Sequence, residues 1–404
     1  MRLSLATSLG LLGLLVLAPP AQSQAVPAVR ECLRFAERQP DISDEAAFRR
    51  ALKTWIDSCK QAVEDDGGNA RVKVSLAQAL SADGQREQSI EQLRAAAAQN
   101  DAEALWLLYE AHKSYDRSDL DKPQLITRAE AETSLRKAAE LGHPYSMWIL
   151  AVLLDRGSTV KRDPAGAILW AERAMTNPPK DTQRIDIQVR LGHFLAKSAD
   201  PEQRARGVAL LETLAPARGD AKAYLALALR STDPTRARRL LEEGERSYPG
   251  HAIPALADML IKGEGGPKDE KRALALLQGR RASDVAAVKA ALGELMIEGR
   301  LVPRDVQTGA NLIHREAQWT HEARLRLMQI LSANPGVRIA NPGGFLYEVV
   351  EAADLGEPGA VAALIDLKLS GHGQFGDKPG GCKLATRATA QGDTHAATRL
   401  KDCG

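Results

Sequence analysis

The chain has 404 residues, and its 54 Lys and Arg nearly balance its 52 Asp and Glu. No stripe of positive charge for a polyanion is indicated, and aromatic residues make up only 4% of the sequence, which argues against stacking platforms for nucleic acid. So few aromatic residues are poor material for one large core. They suit a solenoid, in which small residues let neighbouring helices approach closely.

The N-terminal stretch, residues 1–25, is predicted to be a secretory signal peptide. An arginine at the second position precedes an apolar stretch, 9–18, that is too short to span a bilayer, and two prolines end it. Small residues nearby offer a cleavage site, so the mature chain is expected to start near Gln24 or Val26. A buried helix at an ordinary N-terminus is the alternative. We expect a periplasmic or secreted protein with no membrane span and, without a cysteine at the cleavage site, no lipid anchor.

The four cysteines lie at the two ends of the chain, at Cys32, Cys59, Cys382 and Cys403. Four cysteines allow three pairings in an oxidising compartment, and the terminal clustering favours Cys32–Cys59 and Cys382–Cys403. The C-terminal pair is centred on a predicted turn at 392–393, so an antiparallel helix hairpin brings both thiols level. The N-terminal pair is centred inside a predicted helix, which leaves its connectivity open. A metal site is disfavoured because no C-x-x-C spacing exists.

Helices are predicted along the rest of the chain because apolar residues recur with the helical period of 3.6. The division is an N-terminal helical cap at 26–66, a repeat array at 67–392 and a C-terminal capping helix at 393–404. The predicted N-terminal helices are 29–39 and 44–64. The predicted pairs are 71–81 with 86–99, 102–114 with 127–141, 144–156 with 164–175, 185–197 with 201–214, 220–230 with 234–247, 253–262 with 270–281, 284–298 with 306–318, 322–331 with 345–355 and 360–369 with 381–391.

A spaced pattern repeats four times within this array. Each copy has a glycine followed six residues later by an aspartate: Gly157 and Asp163, Gly263 and Asp269, Gly299 and Asp305, Gly371 and Asp377. A leucine precedes each glycine by seven residues, and a small residue follows each aspartate by four. We interpret the glycine as the end of one helix in a left-handed conformation and the aspartate as the N-cap of the next.

Two segments that carry this pattern, 150–174 and 293–317, resemble the Sel-one-like repeat, a relative of the tetratricopeptide repeat. The joining segments 137–143 and 351–357 match the end of that motif. The resemblance covers about residues 67–392, although 183–249 reads more like plain tetratricopeptide pairs. It implies an all-α fold, a right-handed α-solenoid of helix-turn-helix repeats whose first helices line a concave face.

Candidate catalytic, cofactor-binding and metal-binding residues are not found in the sequence. Four of the eight histidines, His143, His251, His321 and His395, precede a predicted first helix and are interpreted as turn or capping residues. The stretch 371–376 fits G-x-G-x-x-G, but a helix precedes it and no βαβ unit surrounds it, so we reject a dinucleotide site. We expect no cofactor. The dense basic points at 236–239 and 280–281 are interpreted as solvated helix faces, and a contact point for an acidic partner is the alternative.

The resemblance implies a protein that binds other proteins. We expect a non-catalytic periplasmic scaffold or adaptor in an envelope, secretion or exopolysaccharide-export complex, with protein partners, no nucleic acid and no enzyme activity. The alginate-export scaffold is similar in architecture but is lipid-anchored. The alternative is a binder or hydrolase of cell-wall fragments or β-lactams. Family members linked to such ligands carry a disulfide inside each repeat, whereas the repeats at 67–355 contain no cysteine.

Overall fold

A computed structural model of the chain describes residues 27–37, 44–65, 69–113, 125–157, 160–180, 183–279, 285–357 and 359–404. The predicted signal peptide lies outside these residues, as do the polar stretch 116–124 between the predicted helices 102–114 and 127–141 and the basic residues at 280–281. The described residues form helices and connecting loops with no strand among them, which confirms the predicted all-α fold.

The helices follow one another at short intervals along the described chain. They are α1 Pro27–Glu37, α2 Glu45–Asp65, α3 Ala70–Ala82, α4 Arg86–Ala97, α5 Ala102–Lys113, α6 Arg128–Glu140, α7 Pro144–Arg156, α8 Pro164–Thr176, α9 Arg184–Ala196, α10 Pro201–Leu214, α11 Gly219–Leu229, α12 Pro234–Gly244, α13 Pro249–Lys262, α14 Glu270–Gln278, α15 Ala286–Glu298, α16 Val306–Ala317, α17 His321–Ala333, α18 Pro342–Asp354, α19 Ala360–Leu369, α20 Lys378–Ala390 and α21 Thr394–Arg399.

The N-terminal unit comprises α1 to α4 and ends at Gln99. Cys32 and Cys59 are joined in its core, with their Cα atoms 4.7 Å apart. The hydroxyl of Ser75 accepts a hydrogen bond from the indole of Trp55 and donates one to the carbonyl of Cys32. These buried polar contacts tie the disulfide-bonded helices to α3, the first helix of the repeat array.

The second unit begins at Asn100 and contains the remaining helix hairpins. Small residues set the spacing between paired helices, as where α15 crosses α16. A Cβ placed on Gly293 would lie 2.7 Å from the carbonyl oxygen of Gly309, and a Cβ on Gly309 would lie 2.7 Å from that of Gly293. Neither position has room for a side chain, so the two backbones pack directly against each other.

The C-terminal end of the second unit is held by a disulfide. Cys382 on α20 is joined to Cys403, in the 3₁₀ turn that follows α21, with Cα atoms 5.6 Å apart. Gly392 turns the chain with φ +90°, and Asp393 caps α21 through the backbone N–H of Ala396. The two ends of the chain therefore carry the pairings that the terminal cysteine positions favour.

One predicted pairing and several predicted helix boundaries differ from the structure: α18 begins at Pro342 and not at 345, and α20 begins at Lys378 and not at 381. α12 ends at Gly244 and not at 247, α14 ends at Gln278, and α13 begins at Pro249 and carries Pro254 inside it. α17 packs on α16 and α19 more than on α18, its predicted partner. The reason for the last difference is the connection after α17, whose residues Val337 and Ile339 are buried in the same core.

Candidate functional site

The four glycine–aspartate loops share one geometry. Each aspartate caps a helix by accepting a hydrogen bond from the backbone N–H three residues later, at 2.9–3.0 Å. The glycines have φ between 65° and 75°, a conformation that side chains with a Cβ resist. Gly157, Gly263 and Gly299 are the C-caps of their helices, whereas Gly371 lies one residue beyond the C-cap of α19.

The first of these loops is contacted by a carboxylate from far along the chain. Glu357, which follows α18, is buried, and its Oε1 accepts a hydrogen bond from the backbone N–H of Arg162 at 3.2 Å. A Cβ on Gly157 would lie 2.6 Å from the same oxygen, so only glycine leaves space for it. The other carboxylate oxygen of Glu357 lies 3.9 Å from Nε2 of His321.

An ion pair joins the same two regions of the second unit. Nη1 of Arg128, at the start of α6, lies 3.6 Å from Oε1 of Glu351 on α18, and both side chains are mostly buried. The same atom donates a hydrogen bond to the backbone carbonyl of Glu351 at 3.4 Å. We call the contacts of Arg128, Gly157 and Arg162 with Glu351 and Glu357 the closure contact. It joins residues that are about 200 positions apart in the sequence.

Next to the closure contact lies a recess with a volume of about 370 Å³, called here the basic recess. Its walls come from the ends or starts of α7, α9, α13, α15, α16 and α17, which are mainly first helices of their hairpins. Its charged and titratable lining consists of Asp155, Arg156, Arg162, Arg190, His193, Lys197, Tyr248, His251, Glu316 and Glu322. Trp319 stands at the recess with 57% of its surface exposed.

The positive charges of the recess are only partly balanced. Lys197 pairs with Asp155 at 2.8 Å, and Arg162 lies 4.0 Å from Glu322. Among the described residues, no carboxylate forms an ion pair with Arg156 or Arg190. The guanidinium of Arg190 instead lies over the ring of Tyr224, 5.4 Å from its centroid. The recess therefore presents two arginines whose charge is available to a ligand.

Two histidines are held in the neutral form beneath these cations. His193 stacks on Tyr224 with ring centroids 4.1 Å apart, and His251 lies 5.3 Å from the same ring. Burial, followed by Lys197 and Arg190, lowers the pKa of His193 well below its usual value. His251 is exposed at the recess, and partial desolvation by the surrounding walls, followed by the cations Arg190, Arg156 and Lys197, lowers its pKa to about 4. Burial raises the pKa of Glu316 on the α16 wall.

Sequence reasoning missed this recess because it misplaced the start of α13. The predicted helix begins at 253, which leaves His251 in a turn before the helix. In the structure Pro249 occupies the first helical position, and His251 lies in the first turn, facing the recess. The proline at 249 was the available signal. No sequence signal pointed to Arg190 or Trp319, since their role depends on contacts between distant repeats.

The other predicted features have structural positions that require no ligand. His143 caps α7, His321 and His395 lie in the first turns of their helices, and Arg236 and Arg238 pair with carboxylates of the chain. Helix α19 precedes the stretch 371–376. No group of three metal-ligating side chains is found in the part of the chain that the structure describes.

A second recess lies at the C-terminal end, with a volume of about 570 Å³. Its walls come from α17, α19 and α21 and consist largely of small and neutral residues. The carboxylate of Asp366 already accepts from His395 at 2.9 Å and lies 3.0 Å from Nε of Arg399. Its charges are therefore satisfied within the chain, which makes the basic recess the stronger candidate site.

The helix hairpins define a helical-repeat protein. No family model matches the chain, and no curated protein matches it. A Sel1 repeat protein from Oxalobacter formigenes is similar at 21% identity and a TM-score of 0.38, covering 78% of this chain and 90% of that one. A protective antigen of uropathogenic Escherichia coli strains, displaying an SLR fold, is similar at 19% identity and a TM-score of 0.41, covering 92% of this chain and 78% of that one.

Yeast Tom70 is also similar, at 13% identity and a TM-score of 0.42, covering 93% of this chain and 91% of its own. The chain is thus similar to Sel1 and tetratricopeptide-like repeat proteins. Its own hairpins and their glycine–aspartate loops, more than these matches, define the fold. One finding concerns membranes: no helix in the described residues is both long and apolar enough to cross a bilayer.

Proposed function

We propose that this protein is a non-catalytic scaffold that binds a protein partner on the side lined by its first helices. The observation that carries the proposal is the basic recess, where α7, α9, α13, α15 and α17 converge on an exposed tryptophan and on two arginines that form no ion pair with a carboxylate of the described residues. Partly enclosed arginine and tryptophan side chains are the residues most enriched at the centres of protein interfaces.

The histidines of the recess favour binding over catalysis. A histidine that activates a nucleophile is oriented by a third group, commonly a carboxylate. In the described part of the chain, neither His193 nor His251 is hydrogen-bonded to a carboxylate, and their ring contacts are with tyrosines and, for His193, also with Phe194. The same cations that lower their pKa values favour an anionic ligand over proton transfer.

We also propose that the protein is exported and works in the bacterial envelope, in a secretion or exopolysaccharide-export complex. The predicted signal peptide at 1–25 and the two disulfides support an oxidising compartment. The same proposal includes the division of the chain into a signal peptide at 1–25, a helical cap at 26–66, a repeat array at 67–392 and a capping helix at 393–404. Peptide mapping of periplasmic protein without reduction should recover both linked cysteine pairs. Free thiols at Cys382 and Cys403 would contradict export.

Co-purification from periplasm tests the scaffold proposal. We expect the wild-type protein to retain a partner in stoichiometric amount and Trp319→Ala to lose it. Trp170→Ala is the matched control, because Trp170 lies on α8, where it contacts Arg173 and not the recess. Hydrolysis of a β-lactam or muropeptide by the purified protein would overturn the proposal and favour a cell-wall enzyme.

A further inference from the structure

We propose that the basic recess is a binding site for an acidic segment of the partner protein, whose carboxylate pairs with Arg190 and Arg156. The inference rests on the proposed scaffold function and adds the chemistry of the ligand. It concerns the α7 and α9 walls of the recess, where both arginines lie.

The first argument is the state of the two arginines. Arg190 is half-buried and bears its charge against the ring of Tyr224, while Arg156 ends α7 at the mouth of the recess. No described carboxylate forms an ion pair with either side chain, and the carboxylate that Arg156 does influence is Glu316, whose pKa it lowers against the larger effect of burial. A guanidinium in a partly enclosed site gains more from a carboxylate than one in open water does, because the local dielectric is lower. Its fork of donors also matches both carboxylate oxygens.

The second argument is the rest of the recess. Lys197 adds a third cation, and its pairing with Asp155 leaves it 43% exposed. His193 and His251 stay neutral beside these cations, so each can donate one N–H to an incoming oxygen without bringing a negative charge of its own. A carboxylate in this position would reduce the repulsion that opposes protonation of both imidazoles.

The third argument separates an acidic protein segment from a polyanion. The α16 and α17 walls carry Glu316, Glu322 and the exposed ring of Trp319. A chain with a negative charge at every unit would meet these carboxylates. A protein segment can place one acidic side chain at the arginines and an apolar residue against Trp319, which fits a recess of about 370 Å³.

The experiment uses the mature protein and two fluorescent decapeptides. One contains a Glu-Asp pair followed by phenylalanine, and the other has Gln and Asn at the acidic positions. We expect the acidic peptide to bind at least about ten-fold more tightly than the amide peptide and the difference to shrink at high salt. Equal affinity for both peptides, or no binding of either, would overturn the inference.

Variants locate the site. Arg190→Gln and Arg156→Gln should each weaken the acidic peptide by about ten-fold and leave the amide peptide unchanged. Arg304→Gln is the matched control, since Arg304 occupies the position of Arg162 in another loop and should not alter binding. Arg156 is exposed and packs on no ring, so its variant keeps the test decisive even if Arg190→Gln unfolds. Unchanged binding by Arg156→Gln would contradict the proposal.

Partner capture separates the two proposals. Wild-type protein that retains a partner, together with an Arg156→Gln, Arg190→Gln double variant that retains it equally, would leave the scaffold intact and overturn the acidic-segment inference. Wild-type protein that retains no partner would overturn the scaffold proposal itself. Loss of the partner by the double variant alone is the result we expect.

Discussion

The first and third glycine–aspartate loops are built from the same contacts and are used differently. In each, the glycine ends a helix with φ 65° or 66°, and the aspartate caps the next helix. The arginine before each aspartate donates from Nε to a backbone carbonyl, Arg162 to Asp155 at 3.2 Å and Arg304 to Ile297 at 3.1 Å. Local sequence therefore determines the loop itself.

The two loops differ in what approaches them from outside the repeat. Glu357 contacts the first loop, whereas the three atoms nearest to a Cβ on Gly299 all belong to Arg304 within the third loop. The first loop thereby becomes part of the closure contact and of a recess wall. A repeat motif specifies a connection of fixed shape, and a residue outside the motif decides whether that connection joins distant parts of the fold.

Replacing the two glycines by alanine should show the largest difference in stability between the two loops. Gly299→Ala forces a Cβ into left-handed backbone and should cost about 1 kcal/mol. Gly157→Ala has the same cost and also displaces Glu357 from the amide of Arg162, a further loss of about 2 kcal/mol for a buried bond to a charged group. Urea unfolding of both variants measures the difference. Equal costs would mean that the closure contact contributes nothing to stability.

A double-mutant cycle isolates the contribution of Glu357. Gly157→Ala and Glu357→Ala remove the same contact, so we expect a coupling energy of about 1–2 kcal/mol between them. Gly299→Ala and Glu357→Ala share no contact and should be additive within about 0.5 kcal/mol. Additive behaviour in the first cycle would show that Glu357 acts independently of the loop.

The capping aspartates should respond alike, in contrast to the glycines. Asp163 accepts from the N–H of Gly166 at 2.9 Å, and Asp305 accepts from that of Thr308 at 3.0 Å. Replacing either aspartate by alanine removes one cap bond and should cost about 1 kcal/mol. Unfolding midpoints that shift for one variant and stay fixed for the other would refute the common loop geometry.

Mild acid tests the recess that borders the first loop, with a smaller effect. The folded pKa of His251 is about 4, and that of His193 is also lowered, so between pH 6.5 and 4 the unfolded chain binds protons that these folded imidazoles do not. The free energy of unfolding should therefore fall as the pH falls. Glu316, with its raised pKa, acts in the opposite direction. His251→Gln should flatten the pH profile, and an unchanged profile would contradict the assignment.

The sequence predicted those parts of the fold that depend on neighbours along the chain. The bounds of α7, α10 and α19 follow from a His-Pro, an Asp-Pro and a glycine signal, respectively. The structure places these helices at 144–156, 201–214 and 360–369, as predicted. Caps act over three or four residues, so a local pattern contains the information. The misplaced start of α13 shows the limit, because the predicted start at 253 lies four residues after Pro249, where the helix begins.

The candidate site was beyond such reasoning for a different physical reason. The recess combines Arg156 and Arg190 on one wall with Trp319 on another. The neighbouring closure contact joins α6 and the first loop to residues near 351–357. Such contacts depend on how hairpins stack through the second unit, and no spacing within a repeat encodes that. Glu357 lies in a segment that matches the end of the repeat motif, which made it look like an ordinary repeat residue.

Amide hydrogen exchange at Arg162 and Arg304 tests the central claim most directly. The N–H of Arg162 donates to the buried carboxylate of Glu357, whereas the N–H of Arg304 has no hydrogen-bond acceptor among the described residues. We predict that the Arg162 amide exchanges at least about ten-fold more slowly than that of Arg304, and that Glu357→Ala removes the difference. Equal exchange at the two amides in the wild-type protein would contradict the closure contact.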